Sequence, residues 1–293
     1  MFEGVYPPIP TPFMNGEVAH HKLAENLARW NQTDLAGYVV LGSNGETVYL
    51  SDAERAAVLS TAREAIPKEK LLIVGTGAES TRATIEHTKT AAEAGADAAL
   101  VFTPCYYKGQ MTTEALRRHY FALADASPIP ILIYNVPQFT GLDLSAETIL
   151  ALAQHPNIAG IKDSGGNVTK LGAIIGAAPD HFEVLAGSGG FFYPALVLGA
   201  VGGVLALANV APEQCCQIYR ANREGQHGQA QELQLRMIPL NAAVTARFGV
   251  PGLKAALDLL GYYGGEPRSP LLPPSSDQIE EIRRILKASG LLA

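Results

Sequence analysis

Several stretches of this chain place reactive side chains where a strand normally gives way to turn residues. The run from Asn157 to Gly166 reads NIAGIKDSGG, so an apolar, strand-like segment delivers Lys162 directly into Asp163, Ser164 and two glycines. An ammonium in that position can reach water or pair with Asp163. In an apolar mouth, desolvation instead disfavours the charged form and frees a neutral amine to attack a ketone as a Schiff-base nucleophile. IYNVPQFTG puts Tyr134 at the end of the preceding apolar run. A phenol there can relay protons to and from a carbinolamine, or simply pack with its hydroxyl satisfied. The turn LGSNGE offers Ser43 and Asn44 between two glycines, with small polar groups and backbone N–H donors suited to a carboxylate, though a plain tight turn reads the same way. FTPCYY adds Tyr106 and Tyr107, as site phenols or as loop packing.

Whole classes of function fall away on composition. The net charge is −6 with no block of Lys or Arg, which argues against a nucleic-acid partner. The opening MFEGVYPPIPTPF has neither the basic flank nor the apolar core of a signal peptide. No uninterrupted apolar run reaches the ~18 to 20 residues of a spanning helix. These features lead to the expectation of a soluble, cytoplasmic protein without a membrane partner. Cys105 stands alone, Cys215 and Cys216 are adjacent, and the histidines form no HExxH pattern, so no metal site is expected.

The elements that must position these side chains follow one alternating plan. Apolar runs at Gly4 to Pro10, Gly37 to Leu41, Leu71 to Gly75, Ala98 to Phe102, Ile129 to Asn135, Ile158 to Lys162, Glu183 to Gly187 and Gly202 to Ala206 read as strands. Between them lie segments of helical period such as Ser51 to Ala65, Ser80 to Ala94, Thr112 to Ala126 and Ser145 to Ala153, several opening on a Ser or Thr suited to capping. Near-continuous apolar strands joined by helices imply a parallel sheet covered on both faces, and this number of units suits a closed (β/α)8 TIM barrel. A doubly wound open sheet is the alternative. It lacks support because GVYPPIPTPF carries prolines where a dinucleotide-binding turn needs glycines. The expected organisation is a catalytic barrel over residues 1–225, closed by a helix at Pro212 to Arg223, and a helical appendix over 226–293 packed on it, with helices at Gln229 to Ala246, Gly252 to Leu260 and Ser276 to Ser289. Barrel enzymes work at the C-terminal ends of their strands, where all the candidate residues fall.

Taken together, GSNGE, TPCYY, YNVPQFTG and GIKDS resemble the dihydrodipicolinate synthase and N-acetylneuraminate lyase superfamily of pyruvate-handling class I aldolases. The similarity runs from YPPIPTPF to the late helices. Within the superfamily, GIKDSGGNVTKLG, VLAGSGGF, ALANV and NAAVTARFGVPGLK are most similar to the 4-hydroxy-2-oxoglutarate aldolases. The resemblance implies that Lys162 forms the Schiff base, Tyr134 relays protons and Ser43 shares the relay. It implies that Tyr106 is lent across a tight dimer interface within a homotetramer, and that Ser43, Asn44, Ser164, Gly187 and Val204 contact substrate. The substrates it implies are a small 2-keto acid and an aldehyde, with no dissociable cofactor. One position departs from the pattern: the synthases carry an arginine after the relay tyrosine to grip aspartate semialdehyde, and here that position is Phe139, a ring that cannot imitate a guanidinium fork. Synthase activity, a 2-keto-3-deoxy sugar acid aldolase and a non-catalytic pyruvate-binding barrel remain the alternatives.

Overall fold

The computed structural model describes residues 1–293. Its principal sheet contains β1 (Gly4–Tyr6), β2 (Gly37–Val40), β3 (Leu71–Gly75), β4 (Ala98–Phe102), β5 (Ile131–Asn135), β6 (Ile158–Asp163), β7 (Glu183–Ala186) and β8 (Gly202–Val204). Neighbours in the chain are neighbours in the sheet from β2 to β8, all parallel, and β8 pairs with β1 through Gly4 opposite Gly202 and Tyr6 opposite Val204. A Pro8–Val39 bridge, with the Val39 N–H donating to Pro7 and the Ile9 N–H to Val39, joins β1 to β2 and closes the barrel. The first strand ends at Tyr6 rather than Pro10 because Pro7, Pro8 and Pro10 have no N–H to extend the ladder.

Helix starts follow local chemistry. Ser51 caps helix Asp52–Ala65 in a full capping box: its side chain accepts from the Glu54 N–H while the Glu54 carboxylate accepts from the Ser51 N–H. Ser80, Thr112 and Ser145 cap the helices at Thr81–Glu93, Thr113–Ala126 and Ala146–Leu152 by the first of these bonds alone, each side chain accepting the N–H three residues on. The expected helix Gln229 to Ala246 is instead His227–Ala242 widened into a π-turn over Ala243–Arg247, after which helix Gly249–Leu259 begins. The long helix is bound to the loop after β7: Gln234 accepts from the Tyr193 N–H at 2.8 Å and donates to the Gly189 carbonyl at 2.7 Å. No helix is long and apolar enough to cross a membrane.

Strand alternation divides the core in two. Inward residues, among them Tyr6, Val39, Ile73, Leu132, Tyr134, Leu185 and Val204, fill the barrel as one cluster, so it is packed rather than open. Outward residues join the surrounding helices in a second, larger cluster.

Candidate active site

The register of β5 and β6 places Tyr134 directly opposite Lys162. Registered neighbours in a sheet share a face, so both side chains point inward. Lys162 is 4% exposed, and its Nζ lies 3.9 Å from the centre of the Tyr134 ring. No carboxylate lies within ion-pair reach of it. Asp163, the partner that sequence proximity offers, points to the opposite face of β6. There it is fully buried, accepts from Asn135 Nδ2 at 2.9 Å and pairs at 2.9 Å with Lys170, which also holds Asp143. The period of a strand thus separates Lys162 from its neighbouring carboxylate and leaves an amine against an aromatic face.

Above these residues, at the C-terminal ends of the strands, is a cavity of about 630 Å³ lined by Ser43, Tyr134, Phe139 and Thr140, among others. Ser43 Oγ lies 3.5 Å from the Tyr134 hydroxyl, at the outer limit of a hydrogen bond. Lys162 does not line the cavity; Tyr134 lines it and touches the amine, and so connects the two.

The turn carrying Ser43 is strained and braced. Leu41 and Glu46, neither of them glycine, have φ of 58° and 54°, a left-handed conformation costing about 1–3 kcal/mol each. Glu46 is almost completely buried and pairs at 2.5 Å with Lys254, itself fully buried on helix Gly249–Leu259, and its other oxygen accepts the Arg268 N–H at 2.8 Å. Thr11 Oγ1 donates to the Gly45 carbonyl at 2.7 Å. Burial pushes the pKa of Lys254 down, and Glu46 opposes that shift. Arg268 in turn grips Glu54 at 2.6 Å, and this hydrogen bond is the main reason the Glu54 carboxyl falls from 4.5 to about 2. Within the turn, the Gly45 and Glu46 N–H groups bond back to Gly42 and Ser43, whereas those of Ser43 and Asn44 donate to no other group of the chain.

The remaining expected residues are placed as follows. Ser164 Oγ donates to the Gly187 carbonyl at 3.3 Å. A Cβ at Gly187 would stand 2.1 Å from that Oγ and 2.6 Å from the Asp163 carbonyl oxygen, so only glycine fits there. Val204 lies in the same buried cluster inside the barrel as Tyr134. Asn44 Nδ2 is shut from solvent and has no partner. Ser164, Gly187, Val204 and Asn44 do not line the cavity. Tyr106 is 77% exposed, lies edge-on to Tyr107 and also stays outside its own cavity, which Cys105 beside it does line. Phe139 is at the cavity wall and 59% exposed.

Sequence reasoning missed Glu46, Lys254 and Arg268, although a lysine inside the apolar run GLKAAL was a visible anomaly. It also missed Glu79, whose carboxylate accepts the N–H groups of Cys105 and Tyr106, each at 2.9 Å, and so holds the loop that carries Tyr106.

The profile of the Dihydrodipicolinate synthetase family matches residues 1–289. Among similar proteins, a probable 4-hydroxy-2-oxoglutarate aldolase, named as mitochondrial, from Emericella nidulans is 39% identical over 98% of this chain and 94% of its own. A 4-hydroxy-tetrahydrodipicolinate synthase from Syntrophus aciditrophicus is 35% identical over the full length of both chains. Among solved structures, the chloride-inhibited dihydrodipicolinate synthase from Acinetobacter baumannii complexed with pyruvate superposes with a TM-score of 0.95 at 33% identity, covering all of both chains.

Proposed function

This chain belongs to the Dihydrodipicolinate synthetase family and is a carbon–carbon lyase, and on that premise we propose that it cleaves 4-hydroxy-2-oxoglutarate to pyruvate and glyoxylate through a Schiff base on Lys162. The observation that carries the reading is a buried lysine without a carboxylate partner, set against a tyrosine whose hydroxyl meets a serine at the mouth of the barrel. Lys162 attacks the C2 ketone, and the protonated imine becomes an electron sink. A relay through Tyr134 and Ser43 removes the C4 hydroxyl proton, the C3–C4 bond breaks and glyoxylate leaves. The enamine is protonated and hydrolysed to pyruvate, so the lysine does the work of a cofactor. Ser43, Asn44 and Ser164 supply neutral donors for the carboxylates, with Gly187 keeping Ser164 in place and Val204 packing beneath the relay.

Borohydride with pyruvate tests the covalent step. One pyruvate-derived mass per chain on the Lys162 peptide is expected, and undiminished trapping by Lys162→Ala would overturn it. Tyr106, exposed and outside its own cavity, is proposed to complete a neighbour's relay in a tight dimer, two of which make a tetramer. Mixing inactive Tyr106→Phe with inactive Lys162→Ala subunits should then restore partial activity. Proven subunit exchange without rescue would confine Tyr106 to its own subunit or exclude it from the reaction.

A second reading is synthase activity, joining pyruvate to aspartate semialdehyde, and it rests on the relatives named as 4-hydroxy-tetrahydrodipicolinate synthases. Against it stands Phe139, because losing charge-assisted hydrogen bonds to the substrate carboxylate costs about 1.5–3 kcal/mol. Glyoxylate suffers less, since its carboxylate is one bond from the reacting carbon. Side-by-side assays should give kcat/KM for 4-hydroxy-2-oxoglutarate cleavage at least about tenfold above that for condensation with aspartate semialdehyde. Equal or reversed values return the chain to the synthase reading.

A further inference from the structure

The cavity above Tyr134 is unusual for one expected to hold only anions. Its lining contains no Lys, Arg or His, and its only carboxylates are Glu46 and Glu79, the first committed to Lys254 and the second to two backbone N–H groups. Its outer wall is apolar, built from Val48, Phe139, Phe248, Val250 and Leu272. Val48, Phe139 and Leu272 are 76%, 59% and 79% exposed, so apolar area is available for a ligand to cover. At about 630 Å³ the space falls within the ~300–1,000 Å³ typical of drug-sized ligands, far more than the two-carbon glyoxylate needs. A second carboxylate reaching outward would lose water among apolar groups and meet no cation.

We propose that this outer wall receives the apolar substituent of an uncharged aldehyde, so that the enzyme also joins pyruvate to such aldehydes and cleaves the corresponding 4-hydroxy-2-oxo acids. The proposal rests on the imine at Lys162. C3 of the pyruvate enamine attacks the aldehyde carbon, and a C–C bond forms as the carbonyl π pair moves to oxygen. That oxygen takes a proton from the Tyr134 relay, and water hydrolyses the resulting iminium, releasing product and restoring the Lys162 amine. Each methylene of the aldehyde buried against the wall should raise kcat/KM roughly fourfold until the space is filled.

The test uses the full-length enzyme with pyruvate and acetaldehyde, propanal, butanal, benzaldehyde or succinic semialdehyde, with products identified by mass and borohydride trapping run in parallel. Butanal and succinic semialdehyde share a four-carbon chain and differ by a terminal carboxylate. We expect kcat/KM to rise from acetaldehyde to butanal by about tenfold or more, product from benzaldehyde, and succinic semialdehyde at least about tenfold below butanal. Val250→Arg should invert the butanal preference, a crossover that a misfolded variant cannot produce. Normal trapping with a flat series, or with succinic semialdehyde equal to or better than butanal, overturns the proposal alone. Absence of trapping in the unaltered enzyme overturns the imine reading and this proposal with it.

Discussion

Lys162 at the barrel mouth and the two lysines that brace that mouth are all withdrawn from water, yet their surroundings differ in one respect. Lys254 faces Glu46 at 2.5 Å, and Lys170 faces Asp143 at 2.5 Å and Asp163 at 2.9 Å. Lys162 faces the ring of Tyr134 and no anion. Burial alone therefore does not mark a reactive amine. A buried ammonium facing a carboxylate is fixed in place by the ion pair, whereas an amine that faces no carboxylate is not tethered in that way. The braces also act on the site: the Lys254–Glu46 pair holds a left-handed residue in the turn bearing Ser43, and the Lys170 cluster fixes the ends of β5 and β6, from which Tyr134 and Lys162 project.

The largest effect that can break this comparison is chemical. Lys162→Ala should abolish both turnover and pyruvate trapping, whereas folded Lys170→Met and Lys254→Met proteins should still trap at Lys162; mass spectrometry of the reduced adduct decides. Tyr134→Phe comes next, with kcat lowered about 10²–10⁴-fold while the melting temperature stays close to that of the parent, read by steady-state kinetics and thermal scans. A loss confined to KM would place Tyr134 in binding rather than proton transfer.

Stability sharpens the same contrast on a smaller scale. Lys254→Met strands a buried Glu46 carboxylate and should cost about 3–5 kcal/mol in denaturant unfolding, whereas Lys162→Met abandons no anion and should cost far less. Adding Glu46→Gln to Lys254→Met should recover part of the loss, because the uncompensated charge is gone. Equal costs for the two lysine variants would remove the distinction drawn here.

The smallest expected effect is a pH dependence. Glu54 has its pKa lowered in the folded state from 4.5 to about 2, chiefly by the hydrogen bond from Arg268. A lowered folded-state value means that the contribution is fully present above about 4.5 and is lost as pH falls toward about 2. The stability difference between the parent and Glu54→Gln should therefore shrink across that window in acid titrations. A constant difference would show that the carboxylate's ionisation does not contribute.

Much of this architecture was legible in the chain because its determinants are local. Strands β3 and β4 match their apolar runs residue for residue, and Ser51, Ser80, Thr112 and Ser145 announce the helices they cap. Lys162 and Tyr134 were legible for the same reason, as chemistry-bearing residues at the ends of apolar runs. The π-turn at Ala243–Arg247 was not, since its residues continue a helical pattern and only the following Phe248–Gly249 break, with Gly249 at φ 58°, marks the change.

The sequence by itself determined which amine stands at a strand end and which phenol precedes it, because strand period and run boundaries are set by neighbouring residues. Which charges meet was decided only by the tertiary structure. Asp163, adjacent in sequence, turns away from Lys162, while Lys254 crosses most of the chain to reach Glu46. The absence of any cation from the cavity is likewise a property of residues drawn from many separate loops, including Val48, Phe139, Val250 and Leu272. Electrostatic pairing and cavity shape depend on distances through space, and barrel closure alone brings those loops together at one end of the sheet.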